Sequence, residues 1–160
     1  MNPSSQTTLQ YPGIGPSNVP ALAAPALAAP ALADWASALG RTGLAAIFLW
    51  AGYGKLVHMD GNIGYMKAFG VPAPELLIWP ALLAELIGGA MLLIGLKVRL
   101  AALALIAFTL PASFIFHAWW GAPADQVMNA QIHFMKNLAI LGGLLTVVAH
   151  GAGRVALDRR

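Results

Sequence analysis

The stretch Leu76–Leu96, LLIWPALLAELIGGAMLLIGL, decides the fold. It contains eleven Leu and Ile residues and one ionisable group, Glu85, close to its midpoint. About twenty predominantly apolar residues suffice for a helix to cross a bilayer. An acid at the helix centre costs about 3 kcal/mol on insertion scales, and each Leu or Ile offsets about 0.3–0.6 kcal/mol, so the segment inserts with its carboxyl.

The pattern repeats on both sides. Lys97 and Arg99 mark a very short connection to a predicted span over about residues 100–120, where Pro111 frees a backbone carbonyl and predicts a kink. A polar loop, 121–131, leads to a span over about 132–150 and then to a basic end, 153–160. Upstream, Ile63-Gly-Tyr-Met-Lys-Ala-Phe69 followed by Gly70-Val-Pro72 reads as a short interfacial helix with a glycine stop. A first span over about 35–57 carries Arg41 and Lys55 with thirteen residues between them. That interval is about 20 Å of helix and cannot cross about 30 Å of hydrocarbon unless both side chains snorkel outward. Residues 1–33 end in a five-residue repeat with Pro20, Pro25 and Pro30, which favours a disordered Pro/Ala-rich tail.

Composition agrees with a membrane protein. Of 160 residues 59% are apolar and 9% charged, and the mean hydropathy is +0.71. A soluble domain carries about a quarter charged residues. The expected fold is therefore all-α: one domain, 34–152, forming a membrane-spanning four-helix bundle in contact with the lipid bilayer. The net charge of +3 is spread along the chain, with no basic stripe for nucleic acid. The absence of cysteine excludes disulfides, thiolate nucleophiles and iron–sulfur ligation, so a redox role needs a borrowed cofactor. Arg41, Lys97, Arg99, Arg154, Arg159 and Arg160 fall on one side of the four spans; Lys55, Lys67 and Lys136 fall on the other. That imbalance favours both termini in the cytoplasm.

This topology gathers Lys55, His58, Asp60, His117, Asp125, Gln131, His133, Lys136 and Asn137 near the outer surface and leaves Glu85 at mid-depth. Glu85 shares a helical stripe with Ala81, Gly88 and Gly89. It reads either as a proton relay or hydrogen-bond anchor for a polar head group such as a quinone carbonyl, or as a carboxyl that locks two helices together. Arg41, Ala45, Phe48, Gly52 and Lys55 share one helix face. Both cations are either interfacial anchors or inward groups, and an inward Lys55 has Glu85 or Asp60 as its natural counter-charge. Thr109, Ser113 and His117 recur every fourth residue across Pro111, where hydroxyls can satisfy the freed carbonyl and His117 suits proton exchange. His58, Asp60, His117 and His133 lack a fixed ligand spacing, and no metal site is expected.

The chain resembles the DoxX family of small four-helix membrane proteins over about residues 41–148. The likeness rests on Arg41, Phe48, Gly52 and Lys55, on Glu85, Gly88, Gly89, Gly95 and Arg99, and on Phe134-Met-Lys136-Asn137-Leu138-Ala139 with Gly142-Gly143. The resemblance implies a bacterial inner-membrane protein and a part in a membrane oxidoreductase or oxidative-stress assembly. A quinone or similar small redox molecule is then the expected ligand, with no intrinsic cofactor and with electrons supplied by a soluble partner. The residues nominate Glu85 and His117 as catalytic, and Arg41, Lys55, Glu85, Lys136 and Asn137 as ligand-binding. Two other classes stay open: a small proton-coupled transporter, and a structural or assembly factor built on the glycine faces. Self-association into a homo-oligomer stays open as well.

Overall fold

The computed structural model describes residues 29–158. Helices α1 (Ala29–Val57), α2 (Met59–Ala68), α3 (Pro74–Ile94), α4 (Val98–Phe116) and α5 (Val127–His150) follow one another, with a single 3-10 turn at Trp119–Gly121. No strand occurs among the described residues, and the all-α architecture is as expected. Among the described residues three segments are long and apolar enough to cross a membrane: α3, α4 continued through the 3-10 turn to Gly121, and α5. At 29 residues α1 has the length. Arg41 and Lys55 keep it from the same apolarity, and both turn into the bundle.

Boundaries shift where capping and proline chemistry differ from the hydropathy pattern. Helix α1 begins at Ala29, inside the last proline repeat, because Pro30 falls in the first turn, where a missing N–H removes no helical bond. The rest of the expected tail, 1–28, lies outside the described residues. The interfacial helix starts at Met59 rather than Ile63 and buries none of its residues. Helix α5 starts at Val127 rather than Ile132, so part of the expected polar loop is helical. Both α3 and α4 continue through an internal proline, Pro80 and Pro111 respectively. Ser113 Oγ donates to Thr109 O at 2.7 Å, not to the carbonyl of Ala107 that Pro111 leaves free.

Glycines set the register between helices. A Cβ on Gly52 would stand 2.7 Å from Leu86 Cδ2, and one on Gly89 would stand 3.0 Å from Leu49 Cγ, so α1 and α3 run antiparallel in near backbone contact. On the other side of α3, Leu105 of α4 fills the space over Gly88. Directly beneath the level of Glu85, Ala45, Leu92, Ala102, Leu105 and Leu144 are fully buried and close the interior.

The segment read as a basic end is bound to the bundle up to Asp158. Leu157 and Asp158 donate their N–H groups to Ile94 O and Gly95 O, each at 3.1 Å, and Asp158 Oδ2 accepts from Lys97 N at 2.7 Å. Gly95, at φ +74°, is the residue this return requires: a Cβ there would lie 2.5 Å from Ala156 Cβ. Arg154 N reaches Asp34 Oδ1 at 3.3 Å, which places both ends of the described chain at one end of the bundle. Arg159 and Arg160 lie outside the described residues.

Candidate functional site

The antiparallel register decides the question left open for Lys55. Gly52 stands opposite Glu85 and Leu86, so Lys55 emerges about one turn further out than Glu85. Its side chain leans toward mid-depth, opposite to snorkelling, and Nζ donates to Glu85 Oε1 at 2.7 Å and Oε2 at 2.8 Å. The Glu85 side chain is 4% exposed and that of Lys55 21%. Asp60, the other sequence candidate for the counter-charge, is exposed on α2. The ammonium also lies 5.9 Å from the centroid of the Phe108 ring, a geometry that favours a cation.

The ion pair borders an open-mouthed cavity of about 660 Å³ lined by α1, α2, α3, α4 and α5. Of the nominated residues, Lys55, Glu85, His117, Lys136 and Asn137 all line it. Its walls are mainly apolar, from Phe48, Phe108, Ile115 and Ile140. Its size falls in the range of small-molecule sites, about 300–1,000 Å³. Polar groups form a ladder from mouth to floor. Lys136 Nζ donates to His133 Nδ1 at 3.0 Å, and the His133 ring stacks on His117 at 5.0 Å between centroids. One turn deeper Asn137 Nδ2 donates to Ser113 Oγ at 3.1 Å. Below that lie Thr109, whose buried hydroxyl has no hydrogen-bond partner, and the Lys55–Glu85 pair.

Helix α2 crosses the mouth. Asn62, Tyr65 and Met66 contribute to the lining, Tyr65 stacks on Phe116 at 5.4 Å, and Lys67 pairs with Glu75 at the start of α3. Partial burial raises the Tyr65 phenol above its ordinary value, which keeps it a neutral donor beside the opening. Asn62, Tyr65, Phe108 and Pro80 are not among the sequence candidates, and Thr109 reads there only as a hydroxyl for the carbonyl that Pro111 frees. Pro80 and Pro111 each interrupt the N–H series of a helix that faces the same cavity.

Arg41 is not part of this cavity. Although it shares a helix face with Lys55, it lies about 21 Å away along the axis. There it donates to Leu92 O and Val155 O, both at 2.6 Å. His58, Asp60, Asp125 and Gln131 are exposed outside the cavity. Among the described residues no three His, Asp or Glu side chains converge as a metal site would require.

Comparison with known proteins adds the following. The DoxX family profile matches residues 36–118, from α1 to just beyond the end of α4. The inner membrane protein YphA of Escherichia coli K12 is 32% identical over 122 residues, covering 76% of this chain and 87% of its own. The inner membrane protein YqjF of the same organism is 35% identical over 126 residues, covering 79% of this chain and 92% of its own. The Surfeit locus protein 4 homolog of Drosophila melanogaster is 30% identical over 89 residues, 52% of this chain but 33% of that protein. No solved structure matches.

Proposed function

Because the chain belongs to the DoxX family of integral membrane proteins, we propose that its cavity receives a quinone or a similar small redox molecule, as the membrane subunit of an oxidoreductase or oxidative-stress assembly. The observation that carries this reading is a charge-paired lysine at the floor of a mainly apolar cavity of about 660 Å³. Two of the three ammonium protons face Glu85, and the third is free to donate to a ligand carbonyl. The unpaired Thr109 hydroxyl is a second donor group at that depth, and Phe108 and Pro80 present flat walls for a ring. Reduction of a quinone to a quinol takes two electrons and two protons. Electrons come from a soluble partner in this reading, the Lys55 ammonium holds one proton at the floor, and the Glu85 carboxylate beside it can take up the second from the aqueous side. His117, Lys136 and Asn137 connect them to the mouth. The uneven distribution of Lys and Arg supports cytoplasmic termini in an inner membrane, with the mouth on the outer side.

The rival readings have less support. A transporter needs a path continuing past Glu85, and the buried residues Ala45, Leu92, Ala102, Leu105 and Leu144 fill that space. An assembly factor would use free glycine faces; Gly88 and Gly143 receive Leu105 and Leu44 of this same chain, which leaves Gly40, Gly43, Gly54 and Gly142 as the open glycines on the long helices.

The test is the quinone content of protein purified in mild detergent, followed by titration with a short-chain quinone read by tryptophan quenching near the mouth. Wild type is expected to hold near-stoichiometric quinone or to bind it on titration. Glu85→Gln should lose it, and so should Ala112→Phe, which fills the cavity and leaves the ion pair intact. A wild-type protein that neither retains nor binds quinone sinks the proposal.

A further inference from the structure

Arg41 stands apart from the cavity and is the most deeply buried cation of the described chain. It is 3% exposed, and its two terminal nitrogens are taken by Leu92 O and Val155 O. Its Nε has no partner, and among the described residues no carboxylate pairs with it. Carbonyl oxygens satisfy N–H groups but leave a full positive charge in a low-dielectric site. The acids at this end of the bundle are engaged elsewhere. Asp34 accepts from Arg154 N and lies 3.8 Å from Arg154 Nε, and Asp158 accepts from Lys97 N. Against these two carboxylates stand Arg41, Lys97, Arg99 and Arg154.

A groove of about 480 Å³ opens beside Arg41 between α1 and α5, and Ser37, Gly40, Thr146 and His150 help to line it. Arg99 reaches its rim, with Nε 3.6 Å from where a side chain on Gly151 would begin. His150 Nδ1 contacts Thr146 O at 3.0 Å, which leaves its other ring nitrogen for a ligand. Arg41 thus lines the groove while its guanidinium lies buried behind it, unpaired by any carboxylate among the described residues; a hydroxyl and an imidazole line the groove itself, Arg99 stands at its edge, and its lining holds no carboxylate.

We propose that this groove binds a phosphate-bearing anion, with Arg41 as the buried counter-charge and Ser37, His150 and Arg99 at the rim. Guanidinium groups suit phosphate oxygens, and basic pockets between membrane helices take anionic lipid head groups. Free phosphate offers the same chemistry. This site is independent of the quinone reading, because none of its residues lines the larger cavity.

The full chain in mild detergent is tested with phosphatidylglycerol, phosphatidylcholine and inorganic phosphate, by thermal unfolding and by native mass spectrometry. Phosphatidylglycerol is expected to raise the unfolding midpoint and to stay bound where phosphatidylcholine does not. Stabilisation by inorganic phosphate to the same extent identifies the free anion as sufficient; stabilisation by the lipid alone identifies the head group. Arg41→Gln removes the charge but also the bonds to Leu92 and Val155, so Gly40→Leu is the decisive variant. Nothing lies within 4 Å of a Cβ on Gly40, so the new side chain fits and occupies the groove. By keeping the anion out of the groove it should weaken binding about tenfold or more, the scale of one charge-assisted hydrogen bond between anion and rim no longer being made. Equal behaviour of the anionic and neutral ligands, or undiminished anion binding by Gly40→Leu, overturns the proposal.

Discussion

Removing Lys55 should be among the most damaging single substitutions in this protein, and the geometry sets how damaging. Glu85 is 4% exposed and receives both of its short contacts, 2.7 and 2.8 Å, from one ammonium. In Lys55→Met the carboxylate keeps its burial and loses the one cation paired with it among the described residues, a change that costs about 3–5 kcal/mol in buried pairs. Glu85→Gln should cost less, about 1–2 kcal/mol, because Lys55 is 21% exposed and can swing outward to water. The double variant Lys55→Met/Glu85→Leu removes both charges and should lie within about 1 kcal/mol of wild type, as apolar replacement of a buried pair is often neutral. The measurement is the unfolding midpoint of all four proteins in the same mild detergent. At about 2–4 °C per kcal/mol, Lys55→Met should unfold about 6–20 °C lower. A Lys55→Met protein within about 0.5 kcal/mol of wild type, or a double variant that merely adds the two losses, would falsify the view that the pair is a coupled buried unit.

Two further substitutions probe the helix contacts. Gly88→Leu drives a side chain into Leu105, whose Cγ would be 2.9 Å from the new Cβ, and should destabilise by about 1–3 kcal/mol or more. Adding Leu105→Ala should restore monodisperse protein on size-exclusion chromatography, and failure to do so would move the role of Gly88 outside its own bundle. Gly95→Val imposes a β-branched residue at φ +74° and collides with Ala156. It should release residues 155–158, so their amides should exchange hydrogen faster than in wild type while those of α4 keep their protection; unchanged exchange at Leu157 and Asp158 would refute the assigned bonds.

Most of the bundle was legible in the sequence because the membrane imposes one rule: long apolar runs become helices. Glu85 stood out for the same reason, as a lone carboxylate in such a run. Residue spacing left open which way Lys55 points, because a lysine near a helix end can reach either outward or inward. The answer depends on the close approach at Gly52, which places Glu85 one turn deeper. Arg41 and Lys55 share a helix face and so looked like members of one site. Angular position says nothing about depth, and about 21 Å of helix separates them. Pro80 was hidden among eleven Leu and Ile residues, and only the fold sets it with Pro111 around one cavity. The return of residues 155–158 onto α3 follows from a positive φ at Gly95, a backbone choice that a glycine permits but does not announce.

The bond between Arg41 and Val155 also bears on the order in which the protein is completed during synthesis. The two residues are 114 positions apart, whereas Lys55 and Glu85 are separated by 30. At about 5–20 residues per second, the Lys55–Glu85 pair can close within a few seconds of its lysine being made. Arg41 waits roughly 6–23 seconds for its second carbonyl. Through that interval the first helix carries a cation that nothing yet made can fully satisfy, so its N-terminal half is the part of the nascent chain most dependent on lipid head groups or on the insertion machinery.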